Sequence, residues 1–165
     1  MNPLTNRITT AGYGYDGNGN MTQAPGATYR YDIAGRLVSN GAVYNGKNQR
    51  VWDGTNLYLY DLSGRLYGKY SPVWTMVPPA SEAQLQGGQV NLYFRGIAVY
   101  LQGHGNVVTD RVGSVRANSQ GGRFSYYPYG GEIGTETGEG RTKFATYFRD
   151  SAGLDYADQR YYYNQ

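Results

Sequence analysis

The chain repeats a short phrase. Tyr13-Gly14-Tyr15-Asp16-Gly17-Asn18-Gly19-Asn20-Met21 returns as Tyr29-Arg30-Tyr31-Asp32-Ile33-Ala34-Gly35-Arg36-Leu37, then as Val43-Tyr44-Asn45-Gly46-Lys47-Asn48-Gln49-Arg50-Val51, and again as Leu59-Tyr60-Asp61-Leu62-Ser63-Gly64-Arg65-Leu66. Asp16, Asp32, Asn45 and Asp61 lie 16, 13 and 16 residues apart. A period that short holds two strands and two turns and is too short for the paired helices of most helical repeats. Tyr-x-Tyr puts both rings on one face of a strand. Asp-x-x-Gly then supplies a carboxylate that bonds its own backbone and a glycine free to take positive φ, as a turn followed by a bulge requires. Tyr15, Asp16 and Gly19 fill these roles first, then Tyr31, Asp32, Gly35 and Arg36, and later Tyr60, Asp61, Gly64 and Arg65. The third phrase keeps Arg50-Val51 but puts Gln49 where glycine is expected, so its turn is placed at Asn45-Gly46. Arg36, Arg50 and Arg65 follow the turns at matching positions, either against Tyr faces or in water.

The reading along the chain is of hairpins in series over residues 1–70. Residues 71–90 break the pattern with Pro72, Pro78, Pro79 and Gly87-Gly88, and read as a surface loop with one helical turn near Ser81 to Gln86. Strand-like text resumes over 91–165, in Val90 to Arg95, Ile97 to Leu101, Val107 to Asp110 and Arg123 to Tyr127. Glu132 to Arg141 is rich in Gly, Thr and Glu and reads as a mobile loop. No stretch of eleven residues carries a helical period. The fold class is all-β, in one domain.

Composition says what fills such a domain. Leu, Ile, Val and Phe number only 29 of 165 residues, while Tyr alone numbers 19. Aromatic rings bury large areas with the hydroxyl left at water, so the core is expected to be built on tyrosine. Without cysteine, and with His104 as the one histidine, a thiol nucleophile, a Cys-based zinc site and a multi-histidine metal site are excluded. No apolar run reaches the roughly 20 residues of a membrane helix. The N-terminus lacks the charged and apolar regions of a signal peptide. Twelve Arg and three Lys, net charge +3, are scattered singly, which argues against nucleic acid as partner.

Several motifs imitate chemistry. Gly12-Tyr13-Gly14-Tyr15-Asp16-Gly17 fits Gly-x-Gly-x-x-Gly, but Asn18-Gly19-Asn20 does not begin a phosphate-binding helix. Asp16, Asn18 and Asn20 copy the start of a calcium loop whose sixth and twelfth positions are Met21 and Ala27. His104, Asp110 and Ser114 supply the residue types of a hydrolytic triad, with His104 placed in an exposed turn. Asp150, Asp155 and Asp158 are too scattered by strand alternation for an acid–base pair. Lys47, Lys69 or Lys143 beside a buried carboxyl offers a self-crosslinking β domain. Trp52 and Trp74 are the candidates for a sugar-stacking platform, against the plainer reading that the rings form the core. Asn20-Met21-Thr22 is a chance sequon in an Asn-rich turn.

The Tyr-Asp phrases resemble the YD repeats of RHS and teneurin-type proteins. The second half resembles the RHS repeat-associated core. Asp110-Arg111-Val112-Gly113-Ser114-Val115-Arg116 is similar to its Asp-His-Leu-Gly-Ser-Val-Arg signature, where Asp110, Gly113 and Arg116 match. Tyr127-Pro128-Tyr129-Gly130 resembles its Tyr-Asp-Pro-Phe-Gly turn. Arg149 to Tyr162, containing Gly153-Leu154-Asp155-Tyr156, is similar to its Gly-Leu-Asp-Tyr hallmark. The resemblance covers nearly all of the chain outside 71–90. It implies a strip of antiparallel hairpins that curves or spirals into a partly closed shell, often around a C-terminal toxin, with export or the cell surface as location. The family's autoproteolytic segment carries Asp-Pro motifs. This chain contains no Asp-Pro pair, so no protease residues carry over and no enzyme activity is expected.

The expected function is a non-enzymatic shell or scaffold module, a terminal piece or short variant, partnered by the rest of a larger shell or its cargo. No cofactor or metal is called for. Two alternatives stay open: a surface module that recognises a glycan or protein through an aromatic patch, and a self-crosslinking domain. The turn argument predicts that Gly35→Val or Gly64→Val destabilises far more than Asp150→Ala.

Overall fold

The turn phrase sets the architecture. In the computed structural model, which describes residues 2–39, 41–77, 80–87, 90–134, 140–150, 154–157 and 160–163, all regular elements are strands in antiparallel sheets. The first sheet holds β1 (Gly14–Tyr15), β2 (Met21–Ala24) and β3 (Ala27–Thr28). The second runs β4 (Val43–Tyr44), β5 (Arg50–Trp52), β6 (Leu57–Tyr60), β7 (Leu66–Val77), β8 (Ala80–Gln86). The third contains β9 (Leu92–Phe94), β10 (Ile97–Leu101), β11 (Gly105–Thr109) and β12 (Val115–Asn118). The last is β13 (Phe148–Arg149), β14 (Leu154–Ala157), β15 (Arg160–Tyr163). Within each sheet every strand pairs with its neighbour in sequence, so the chain is a series of hairpin meanders, and among the described residues no barrel closes, consistent with a partly closed β-strip.

The five-residue turn recurs with one hydrogen-bond pattern. At Asp32 the backbone N–H donates to the Arg36 carbonyl at 2.9 Å, and Gly35 N–H donates back to the Asp32 carbonyl at 2.9 Å. Asp32 Oδ1 accepts from the N–H groups of Ala34 and Arg36. Oδ2 takes the Arg36 Nε at 2.7 Å. Asp16, Asp61 and Asp110 accept backbone N–H groups in the same way, and Asn45 and Asn118 do it with a carboxamide. Register shifts of the bulge kind precede the turns at Gly14/Tyr15, Val43/Tyr44, Leu59/Tyr60 and Val108/Thr109.

The third turn corrects the sequence expectation. It spans Asn45 to Gln49, and Asn48, at φ +60°, occupies the slot that Gly35 (φ +74°) and Gly64 (φ +85°) fill in the second and fourth. Asn tolerates the left-handed region because its short amide bonds locally. Gln49 therefore matches Arg36, its side chain paired with Asn45 at 3.0 Å. Arg50 matches Leu37 instead, and is pulled inside.

Residues 71–90 also depart from expectation. The loop with a helical turn is instead a long hairpin: β7 and β8 pair from Ser71↔Gln86 to Val77↔Ala80. Pro72 is tolerated within it because a two-stranded ribbon leaves half its backbone groups unpaired. The hairpin projects, with Val73, Trp74 and Leu85 exposed.

Three clusters make the core. Ala24, Tyr29, Leu37 and Leu154 form one, with Tyr13, Tyr31 and Tyr161 against it. Tyr58, Phe148 and Tyr156 form a second, with Tyr44, Tyr60 and Tyr161. The third is mainly aliphatic, holding Ala98, Leu101, Val115 and Phe124. Tyrosine thus dominates the clusters where the first hairpins meet β14 and β15, and aliphatic residues the cluster within the third sheet. β14 is buried along its whole length, Leu154 to Ala157, and supplies residues to the two tyrosine clusters.

Candidate functional site

Arg50 is among the largest fully buried side chains of the described residues. Nη1 and Nη2 fork onto Asp150 Oδ2 and Oδ1 at 2.5 and 3.0 Å, and Nη1 also donates to the Tyr161 hydroxyl. Its Cζ lies 4.5 Å from the Tyr58 ring centroid, 4.8 Å from Tyr156, 5.5 Å from Tyr161 and 5.9 Å from Phe148. Its backbone is held as well: Arg50 N–H donates to the Tyr156 hydroxyl at 2.8 Å, and the Tyr60 hydroxyl donates to the Arg50 carbonyl at 2.8 Å. A planar guanidinium suits this place, since its faces stack on rings while its edge forks a carboxylate. Burial opposes its charge, but the Asp150 carboxylate outweighs that and raises its pKa further. Burial likewise pushes the Tyr58 and Tyr161 hydroxyls above the ordinary range, although Arg50 pulls both down.

A second buried network stands beside it. Arg149 forks onto Asp155 at 2.9 and 3.1 Å and donates to the Gly130 carbonyl at 2.7 Å. Glu132 pairs with Lys143 and lies 3.5 Å from Arg149. All four side chains are at least 95% buried, so the two cations and two anions balance. Glu132, assigned from sequence to a mobile loop, is held inside; residues 135–139 lie outside the described residues. Among the crosslinking candidates, Lys143 alone is buried beside a carboxyl, whereas Lys47 is exposed and Lys69 half-buried.

Arg36 and Arg65 share a simpler arrangement. Each is pinned by its own turn carboxylate and lies on a tyrosine of another hairpin, Tyr44 at 5.2 Å and Tyr93 at 5.0 Å. Arg116 does the same between Asp110 and Tyr126. Of the two sequence alternatives for these arginines, stacking is the one the structure adopts. Tyr15 bonds Ile8 N–H and carries the Arg7 guanidinium on its ring.

The imitated motifs are dismantled by geometry. His104 is buried, not exposed: its turn is capped by Gly140, Nε2 lies 3.0 Å from the Thr142 carbonyl, and the ring stands edge-on to Phe124 at 5.3 Å. Ser114 Oγ accepts from Ala145 N–H, while Asp110 serves its own turn and Arg116, so the three triad types are engaged separately. Asp150 and Asp155 each fork a different arginine, and Asp158 lies outside the described residues, as does Gly153. Asp16 spends both oxygens on Asn18 and Asn20. Trp52 is half-buried on β5, and Trp74 is exposed on the β7–β8 hairpin.

Two clefts of about 500 Å³ flank the Arg50 cluster, and neither is lined by Trp52 or Trp74. One is walled by Tyr29, Tyr58, Phe148, Lys69 and Arg141. The other lies between the first two turns and β15.

Sequence reasoning missed Arg50 as a buried group, and with it Asp150, Arg149 and Glu132. A readable signal was the five-residue spacing of Asn45 to Gln49, which places Arg50 in register with Leu37. No protein-family model matches the chain, and no curated protein matches its sequence significantly.

Proposed function

We propose that this chain is a non-enzymatic shell or scaffold module of the RHS/YD-repeat type. The observation that carries the reading is the Arg50 clamp, which ties the third repeat to residues 100 to 111 positions later. Its guanidinium is forked, stacked and buried, and its carboxylate is spent on that fork, so the pair fixes geometry. The turn carboxylates do the same work at the surface. On this reading the partners are further repeats of the same kind, or a cargo they surround, in a secreted or cell-surface setting.

A module of this kind presents unpaired sheet edges, which seek other strands. Sedimentation combined with small-angle scattering tests it. Concentration-dependent association or elongated particles are expected. A strict monomer with a radius of gyration of about 15 Å at every concentration would count against the shell and favour a self-contained module.

A further inference from the structure

Lys143 and Glu132 bring an amine and a carboxyl into direct contact away from water. Lys143 Nζ donates to Glu132 Oε1, and the two side chains are only 3% and 4% exposed. Arg149 Nη1 lies 3.5 Å from the same oxygen, while its Nε and Nη2 are held by the Asp155 carboxylate at 2.9 and 3.1 Å. An antiparallel bridge sets Tyr126 directly opposite Glu132, so their side chains leave the same face. The Tyr126 hydroxyl is buried and has no hydrogen-bond partner among the described residues. Burial first, and the Glu132 charge after it, raise its pKa, so it stays protonated and able to donate. A buried hydroxyl without a partner calls for a reason. The Arg50 clamp uses none of these side chains.

We propose that Lys143 and Glu132 condense with each other into a side-chain amide. Two opposite charges buried together carry a heavy desolvation penalty, and a neutral amide removes it. Reactants held in contact reach effective concentrations of about 10⁵ M or more, which a condensation between free groups in water lacks. Lys143 first passes one ammonium proton to the Glu132 carboxylate, giving a neutral amine and a neutral acid, the forms that burial favours. The amine then attacks the carboxyl carbon. Charge building on the carboxyl oxygen is met by the Arg149 guanidinium and by the Tyr126 O–H. A second nitrogen proton goes to the leaving hydroxyl. The C–N bond forms, the C–O bond breaks and one water departs, with no other reactant. Arg149 and Asp155 remain as a balanced pair. The inference does not depend on the shell reading, because it concerns one pair of side chains within this chain.

The intact mass of the full chain, incubated in its folded state and then denatured for measurement, tests it. A mass one water below that of the sequence is expected. Trypsin cuts after Arg123, Arg141 and Arg149, so the crosslink leaves segments 124–141 and 142–149 joined as one branched peptide. Lys143→Arg keeps a buried cation but should hold the full mass, with circular dichroism reporting its fold. Glu132→Gln supplies an amide acceptor, loses ammonia in place of water, and should converge on the mass of the parent product. The branched peptide of the parent decides the matter even where a variant fails to fold. A parent at full sequence mass overturns the proposal. So does a water loss mapped to Asp16-Gly17 or Asp53-Gly54, or one that persists in Lys143→Arg.

Discussion

At the scale of the residue, Arg50 and Asp150 are unequal partners. Arg50 has no access to water, while the Asp150 side chain keeps 16% of its exposure. Removing the carboxylate strands a buried cation, whereas removing the cation leaves an anion that water can reach. Asp150→Ala is therefore expected to cost about 3–5 kcal/mol, and Arg50→Met less. The double variant should be more stable than Asp150→Ala alone, a result read from urea midpoints. This reverses the order drawn from sequence, in which Gly35→Val outweighed Asp150→Ala. A Cβ at Gly35 meets nothing within 4 Å, so only backbone strain of about 1–2 kcal/mol remains. Gly35→Asn should cost less than Gly35→Val, because Asn48 already sits in the equivalent place at φ +60°. Equal thermal midpoints for these two variants would refute that account.

At the scale of the element, the turn was legible and its consequences were not. Spacing alone located Asp16, Asp32 and Asp61, because the turn is closed by bonds within five residues. The β7–β8 hairpin was hidden by Pro72 and by polar text, since two paired strands in water need no apolar alternation. Glu132 and Lys143 were hidden because they pair with each other across a Gly-, Thr- and Glu-rich stretch that reads as loop. The turn carboxylates also set an acid response. Burial is the largest single influence on Asp32, Asp61 and Asp110 and raises them, but backbone N–H donors and an arginine together outweigh it and hold all three below the ordinary value of 3.8. A lowered folded pKa gives stability that is present above the unfolded value and is lost as pH falls through the folded one. Melting temperature should thus decline below about pH 4. Asp32→Asn should flatten that decline, since Asn45 and Asn118 accept the same bonds without titrating. An unchanged acid slope in that variant would remove the turns as its source.

At the scale of the whole molecule, tyrosine does what Leu and Ile do elsewhere, and it leaves an alkaline signature. Burial pushes Tyr31 and Tyr44 up to about 12, and raises Tyr58, Tyr126 and Tyr161 as well. The raised folded values give stability that is complete below the unfolded pKa of about 10 and vanishes as pH climbs past it. Ultraviolet absorbance of tyrosinate should therefore rise in a cooperative step above about pH 10, together with loss of circular dichroism. Gradual ionisation with the β signal intact would mean that these rings are not structural.

The Arg50 clamp has a consequence in time. Its carboxylate, Asp150, lies 100 residues further along the chain, and a ribosome adding about 5–20 residues per second delivers it some 5–20 s after Arg50. Through that interval the first three hairpins exist with their arginine unanswered and their tyrosines wet. The fold is closed from its late end, like an arch that stands only when the last stone is set.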